Sequence, residues 1–190
     1  MSERHMTERL EREVKLPFES PVEARHLVLA LGALPLRPRR LQRDAVLDTD
    51  DHALFEQRSL LRVRQEEGRA VVTFKGAPFV AAMKVREEIE TAADDAEAML
   101  GIFERLGLTV RFVYEKYREE FSFHGTIIAI DETPVGTYVE IEGPELAVAE
   151  TVRALGRGPE HYVLDSYRTL YVRDCEQRGI AVANMLFPCG

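Results

Sequence analysis

The chain is short of the features that mark several large protein classes. Among its 190 residues only Cys175 and Cys189 are cysteines. They lack the paired spacing of a zinc site, and two thiols cannot build the disulfide framework of a small secreted domain. No apolar stretch is long enough to span a bilayer. The opening "MSERHMTERLER" is charged and has no apolar signal core. Positive charge is in deficit, with 25 Lys and Arg against 33 Asp and Glu, a net −8. That balance argues against general DNA or RNA binding, so any basic site must be local. There is no GxxxxGK(S/T) loop, no GxGxxG turn after a strand, no HExxH and no recognisable Ser–His triad. No repeat or linker divides residues 1–190. What remains is one soluble, cytoplasmic domain with reduced thiols and, at 45% hydrophobic residues, enough apolar material for a core.

What is present is a run of alternating segments broken by a few helices. Residues 9–16, 40–48, 82–91, 110–123, 126–132 and 137–143 read as strands, and 59–76 as a hairpin turning at "EEG". Residues 20–33 read as a helix with Ser20 as cap, Pro21 in its first turn and Gly32 near its end. Residues 94–107 have an acidic start and apolar residues at helical spacing. Residues 144–156 and 160–175 read as further helices, and "LPLRPRR" (34–40) as an exposed loop. Strands that follow one another without a helix between each pair favour antiparallel pairing. The expected fold is therefore α+β, a closed or nearly closed antiparallel barrel with helices packed outside.

The polar faces of these strands carry unusual charge. In "RLEREVKLP", Glu11, Glu13 and Lys15 alternate and share one face. Arg62 and Arg64 share a face, as do Thr73 and Lys75, and Lys116 and Arg118. Lys84, Arg86, Glu88 and Glu90 fall together, Asp131 lies opposite Ile128 and Ile130, and Glu140 and Glu142 lie opposite Val139 and Ile141. If the helices cover the apolar faces, closure turns the charged faces into a polar interior. Unfilled, such an interior is costly. Carboxylates suit a hard divalent cation, and arginine forks and lysines suit phosphate oxygens, so the two sets together suit a metal–triphosphate complex.

"EREVK" (11–15) resembles the ExExK signature of the CYTH family, the triphosphate tunnel metalloenzymes. "DTDD" (48–51), "LRVRQEEGRAVVTFKG" (61–76), "REEIE" (86–90), "EKYRE" (115–119), "IDETPVGTYVEIEG" (130–143) and "SYRTLY" (166–171) follow in the family's order. The resemblance implies an eight-stranded antiparallel tunnel, Mg²⁺ or Mn²⁺, and a small-molecule triphosphate as partner, without nucleic acid or membrane, in a monomer or homodimer. It assigns Glu11, Glu13, Asp131, Glu140 and Glu142 to the metal. Lys15, Arg62, Arg64, Lys75, Arg86, Lys116 and Arg118 are assigned to the phosphates, with Glu88 and Glu90 as further tunnel carboxylates. Glu11, Glu13, Lys15, Glu140 and Glu142 form the catalytic set. Val46 and Leu47 depart from the aromatics that the family often has before "DT". Two reactions fit: hydrolysis of inorganic, thiamine or nucleoside triphosphate, and class IV adenylate cyclase chemistry. "SYRTLY" and His5 lean toward the cyclase, and the lack of a purine motif leans toward hydrolysis. A polyphosphate-binding module is a third reading, opposed by the carboxylates.

Overall fold

The structure is a computed structural model that describes residues 10–79 and 81–188; His5 and Cys189 lie outside them. Eight strands close into an antiparallel barrel in the order β1-β5-β4-β3-β2-β6-β7-β8. They are β1 (Leu10–Phe18), β2 (Leu34–Asp48), β3 (Leu60–Glu66), β4 (Arg69–Lys75), β5 (Lys84–Ala93), β6 (Thr109–Phe123), β7 (Thr126–Thr133) and β8 (Gly136–Glu142). The helices are α1 (Pro21–Ala30), α2 (Ala53–Glu56), α3 (Ala96–Arg105), α4 (Glu145–Ala154) and α5 (Tyr167–Arg178), with a 3-10 turn at Pro159–His161.

Local chemistry sets the boundaries. Ser20 Oγ accepts from Glu23 N at 3.1 Å and Pro21 opens α1, while Asp95 caps α3 through Ala98 N at 3.0 Å. Glu67 and Gly68, both at positive φ, form the tight turn of the β3–β4 hairpin. The final helix begins at Tyr167, later than the sequence suggests, because Ser166 accepts from Thr169 N and caps it there. α2 has four residues, too few to show a period, and went unread.

The polarity is inverted relative to an ordinary sheet. Val14, Leu16, Ile128, Ile130, Val139 and Ile141 point out of the barrel and pack under Ala24 and Val28 of α1 and Val148 and Val152 of α4. Each such buried aliphatic chain contributes about 1.5–3 kcal/mol. The helices thus cover the outside, and the strands' charged faces turn inward.

One expectation is corrected. "LPLRPRR" is no exposed loop: it is the first half of β2, paired with β6 from Leu34↔Ser122 onward. The register shifts between Arg37 and Arg40, a bulge that adds a residue and reverses the alternation. Pro38 falls where the ladder is interrupted, a place a strand tolerates proline. As a result Arg37 and Arg40 both face the barrel interior. Arg39 faces out, 3.6 Å over the Tyr117 ring and bonded to Glu132. No helix among the described residues is long and apolar enough to cross a membrane.

Candidate active site in the tunnel

The barrel encloses a cavity of about 1190 Å³. Glu11, Glu13 and Lys15 of β1 line it, with Arg62 and Arg64 of β3 and Lys75 of β4. Arg86, Glu88 and Glu90 of β5, Lys116 and Arg118 of β6, and Glu140 and Glu142 of β8 complete the set that the sequence brought together. Across the β1–β5 and β1–β8 ladders Glu11 faces Arg86, Glu13 faces Lys84 and Lys15 faces Glu140, but Glu13 also faces Glu142. Lys75 Nζ lies 2.5 Å from Glu11 and 3.3 Å from Glu88, Lys84 Nζ 2.5 Å from Glu13, and Arg86 Nε 3.3 Å from Glu11. Glu140 takes Lys15 at 3.4 Å and also Arg118.

Asp131 is placed differently from the metal role that the resemblance gave it. It is fully buried behind the lining, and both oxygens are occupied. Lys116 Nζ and Tyr167 Oη donate to Oδ2, each at 2.7 Å, and Arg118 donates to Oδ1 at 2.7 Å and to Oδ2 at 2.6 Å. Oδ2 takes three donors and Oδ1 one, and Asp131 does not line the cavity, so in this arrangement it braces Lys116 and Arg118.

Sequence reading missed five groups. Asp44 is fully buried and takes Arg64 at 2.8 and 3.2 Å. Lys84 was placed on the right face but left out of the basic set. At one end of the bore Arg40 is buried between Glu66 at 3.0 Å and Glu120 at 2.6 Å. Tyr167 lies with its ring 4.1 Å from Lys15 Nζ, and Lys15 also donates to Asp165 O at 2.9 Å. Phe55, on α2 beyond the far end of β2, lines the same cavity, as do Val46, Leu60 and Leu164. Asp48 of "DTDD" holds it there by accepting from Leu54 N and Phe55 N, each at 2.9 Å. The Arg168 guanidinium lies 5.3 Å from the Phe55 ring and 6.0 Å from Phe112. An aromatic wall thus exists in the cavity, although Val46 and Leu47 do not supply it.

The electrostatics separate two kinds of carboxylate. Burial opposes ionisation of Asp44, but Arg64 and Arg62 outweigh it and hold the group at about 2. Burial likewise opposes Glu13, which Lys84 brings down to about 2. Glu142 behaves otherwise. Desolvation inside the bore, then the charges of Glu11 and Glu88, push it up to about 7 although solvent still reaches it. Glu11 is raised too, by burial and by Glu13. Among the described residues Glu142 has no ion-pair partner, and no three carboxylate, imidazole or thiolate groups converge into a ready-made metal cage. Burial, with Arg118 beside it, lowers Lys116 to about 8.

The CYTH domain model matches residues 9–160, which hold every strand and all of these tunnel residues except Tyr167 and its neighbours. The chain belongs to the CYTH domain family. A Methanocaldococcus jannaschii protein named "putative adenylate cyclase" is 29% identical over 134 residues, 70% of this CYTH chain and 76% of that protein. A solved structure of a Vibrio parahaemolyticus "putative adenylate cyclase" superposes with a TM-score of 0.74 at 17% identity, covering 85% of this chain and 97% of the other. A Hippeastrum "putative adenylyl cyclase", described as having a dominant triphosphatase activity, gives 0.62 at 20% identity, covering 91% and 97%. At these identities the two structural likenesses speak to the fold alone.

Proposed function

We propose that this CYTH protein is a divalent-metal-dependent enzyme that hydrolyses a phosphoanhydride bond of a triphosphate held in the tunnel. One observation carries the reading: an enclosed bore sets Arg62, Arg64, Lys116 and Arg118 against a carboxylate cluster whose member Glu142 lacks a counter-cation. The donor set fits a hard cation, since carboxylates crowded enough to raise Glu142 to about 7 gain most from a positive charge among them. Glu11, Glu13 and Glu142 would hold it, with Glu140 and Glu88 adjoining. When bound, Mg²⁺ or Mn²⁺ supplies Lewis acidity and neutralises phosphate charge.

The chain's own side chains do the remaining work. Arg62, Arg64, Lys116, Arg118 and Lys15 bind phosphate oxygens by charge-assisted hydrogen bonds. Their burial strengthens those contacts and fixes them before the substrate arrives. Lys75, Lys84 and Arg86 pair with Glu11 and Glu13 in the present arrangement and would be available to phosphate oxygens were a cation held by those carboxylates. Tyr167, beyond the matched residues, shields Lys15 and Lys116 from solvent.

A second reading, nucleotide cyclisation, is favoured by the aromatic wall. Phe55, Phe112 and Arg168 offer a stacking surface for a planar base. The deciding experiment offers ATP, thiamine triphosphate and inorganic triphosphate in parallel, each with Mg²⁺ or Mn²⁺, and separates the products by chromatography. Diphosphate or a nucleoside diphosphate with phosphate supports hydrolysis. Cyclic AMP with pyrophosphate replaces it by the second reading, and no turnover of any substrate refutes both.

A further inference from the structure

The tunnel's basic residues are not held alike. Lys116 and Arg118 are tied to Asp131. The other pair, Arg62 and Arg64, converges on Asp44, which no motif singles out. Asp44 lies on β2 directly opposite Arg64 in the β2–β3 ladder. It is fully buried and does not line the cavity, so it grips the arginines from behind. Arg64 donates through both Nε and Nη2, the bidentate fork, which fixes the guanidinium plane. Arg62 Nε stands 3.4 Å from Asp44 Oδ1 without hydrogen-bond geometry, a buried donor left unsatisfied. Its Nη2 donates to Thr73 at 3.1 Å, and its Nη1 lies 3.5 Å from Tyr114 Oη.

We propose that Asp44 is the positioning residue for Arg62 and Arg64, holding both guanidiniums in the orientation that the reacting triphosphate requires. The proposal rests on the triphosphate reading above. Asp44 acts in two opposed ways. Its negative charge competes with the substrate for the arginines, which weakens ground-state binding. Its fork fixes their direction, which favours the transition state over the ground state.

The opposition makes the role testable. Asp44→Asn keeps the shape and removes the charge. Its kcat for the preferred triphosphate should fall roughly 10- to 100-fold, as expected of misaligned groups, while KM stays or drops. Calorimetric titration with inorganic triphosphate in EDTA should show binding tighter by about tenfold, because a competing charge is gone. A merely structural brace predicts the reverse, with weaker binding and KM and kcat worsening together. That pattern, or a kcat within about threefold of wild type, overturns the proposal. The metal-free titration is readable even if the wild type turns over no triphosphate, so failure of the catalytic reading is seen separately. If Asp44→Asn does not fold, Asp44→Glu serves. It keeps the charge and displaces the fork, so kcat should fall, and an unchanged kcat overturns the proposal.

Discussion

The two sides of the tunnel solve the problem of buried charge differently. On the β2–β3–β6–β7 side, Asp44 and Asp131 each hold two cations, leaving one positive charge in excess in each group, and all four cations line the bore. On the β8–β1–β5 side, carboxylates outnumber what Lys15, Lys75, Lys84 and Arg86 can satisfy, and Glu142 is left unpaired. The first side has a carboxylate braced against every pair of cations. The second carries an excess of negative charge, and on the reading proposed above a bound cation would offset it. A buried pair whose partner is removed leaves an uncompensated charge, whereas a crowded carboxylate that is removed takes repulsion away. The same chemical change, carboxylate to amide, should therefore act oppositely on the two sides.

The largest effect is expected at Asp131. Asp131→Asn leaves Lys116 without its ion pair and Arg118 with Glu140 alone, and it should cost about 3–5 kcal/mol of stability. Urea unfolding checks this through the midpoint at unchanged slope. A loss below about 1 kcal/mol would show that Glu140 alone can hold both cations, and the contrast between the sides would be weak. On the other side, Glu142→Gln should abolish metal-dependent turnover, a fall of roughly 100-fold or more. At pH 8 the variant should be as stable as the wild type or more so. A folded Glu142→Gln protein with wild-type turnover would remove Glu142 from the metal set.

The contrast also explains what the sequence made legible. Glu11, Glu13, Arg62, Arg64, Lys116 and Arg118 were readable because period-two alternation of charge survives in the letters, and closure of the sheet then brings them together. Asp44 was not, because in "LQRDAVLD" its neighbours do not alternate and its importance comes from the strand beside it. Arg37 and Arg40 were hidden by prolines that read as loop punctuation, where a bulge in fact absorbs them. Phe55 and Tyr167 depend on caps, Asp48 and Ser166, that set which way a short or late helix points. The inverted polarity was legible because the apolar faces needed covers and the helices read from the sequence could supply them from outside. The pairing of Asp131 with Lys116, Arg118 and Tyr167 was hidden too: alternation says which face a carboxylate takes, not which partners it finds there.

Tyr167 lets the braced side be loosened in a small step. Tyr167→Phe deletes one hydrogen bond to Asp131 and leaves the ring over Lys15 and Lys116. The buried carboxylate keeps its three cationic hydrogen bonds, so the loss should be about 1–3 kcal/mol. Turnover should fall several-fold without loss of metal dependence. Tyr167→Leu, which also removes the ring, should lower turnover further, and equal rates in the two variants would show that the ring contributes nothing. Steady-state kinetics with thermal unfolding separates the two parts.

The smallest effect expected is a pH dependence of stability that belongs to the carboxylate-rich side alone. Glu142 is raised from an ordinary 4.5 to about 7, and Glu11 is raised in the same direction. Between those values the folded chain holds a proton that the unfolded chain has released. Stability must then fall as pH rises through that window. Asp44 and Glu13, held at about 2, act the opposite way, but their contribution is complete above pH 4.5 and is lost only in more acid solution. In EDTA, the unfolding temperature should therefore decline between about pH 5 and pH 7.5. Saturating Mg²⁺ or Mn²⁺ should flatten the slope, because the cation takes the place of the proton. Glu142→Gln should reduce it without metal to the part that Glu11 contributes, while Asp131→Asn should lower the whole curve and leave its slope intact. A slope undiminished in Glu142→Gln would assign the proton to another group, and the unpaired carboxylate would no longer distinguish the two sides.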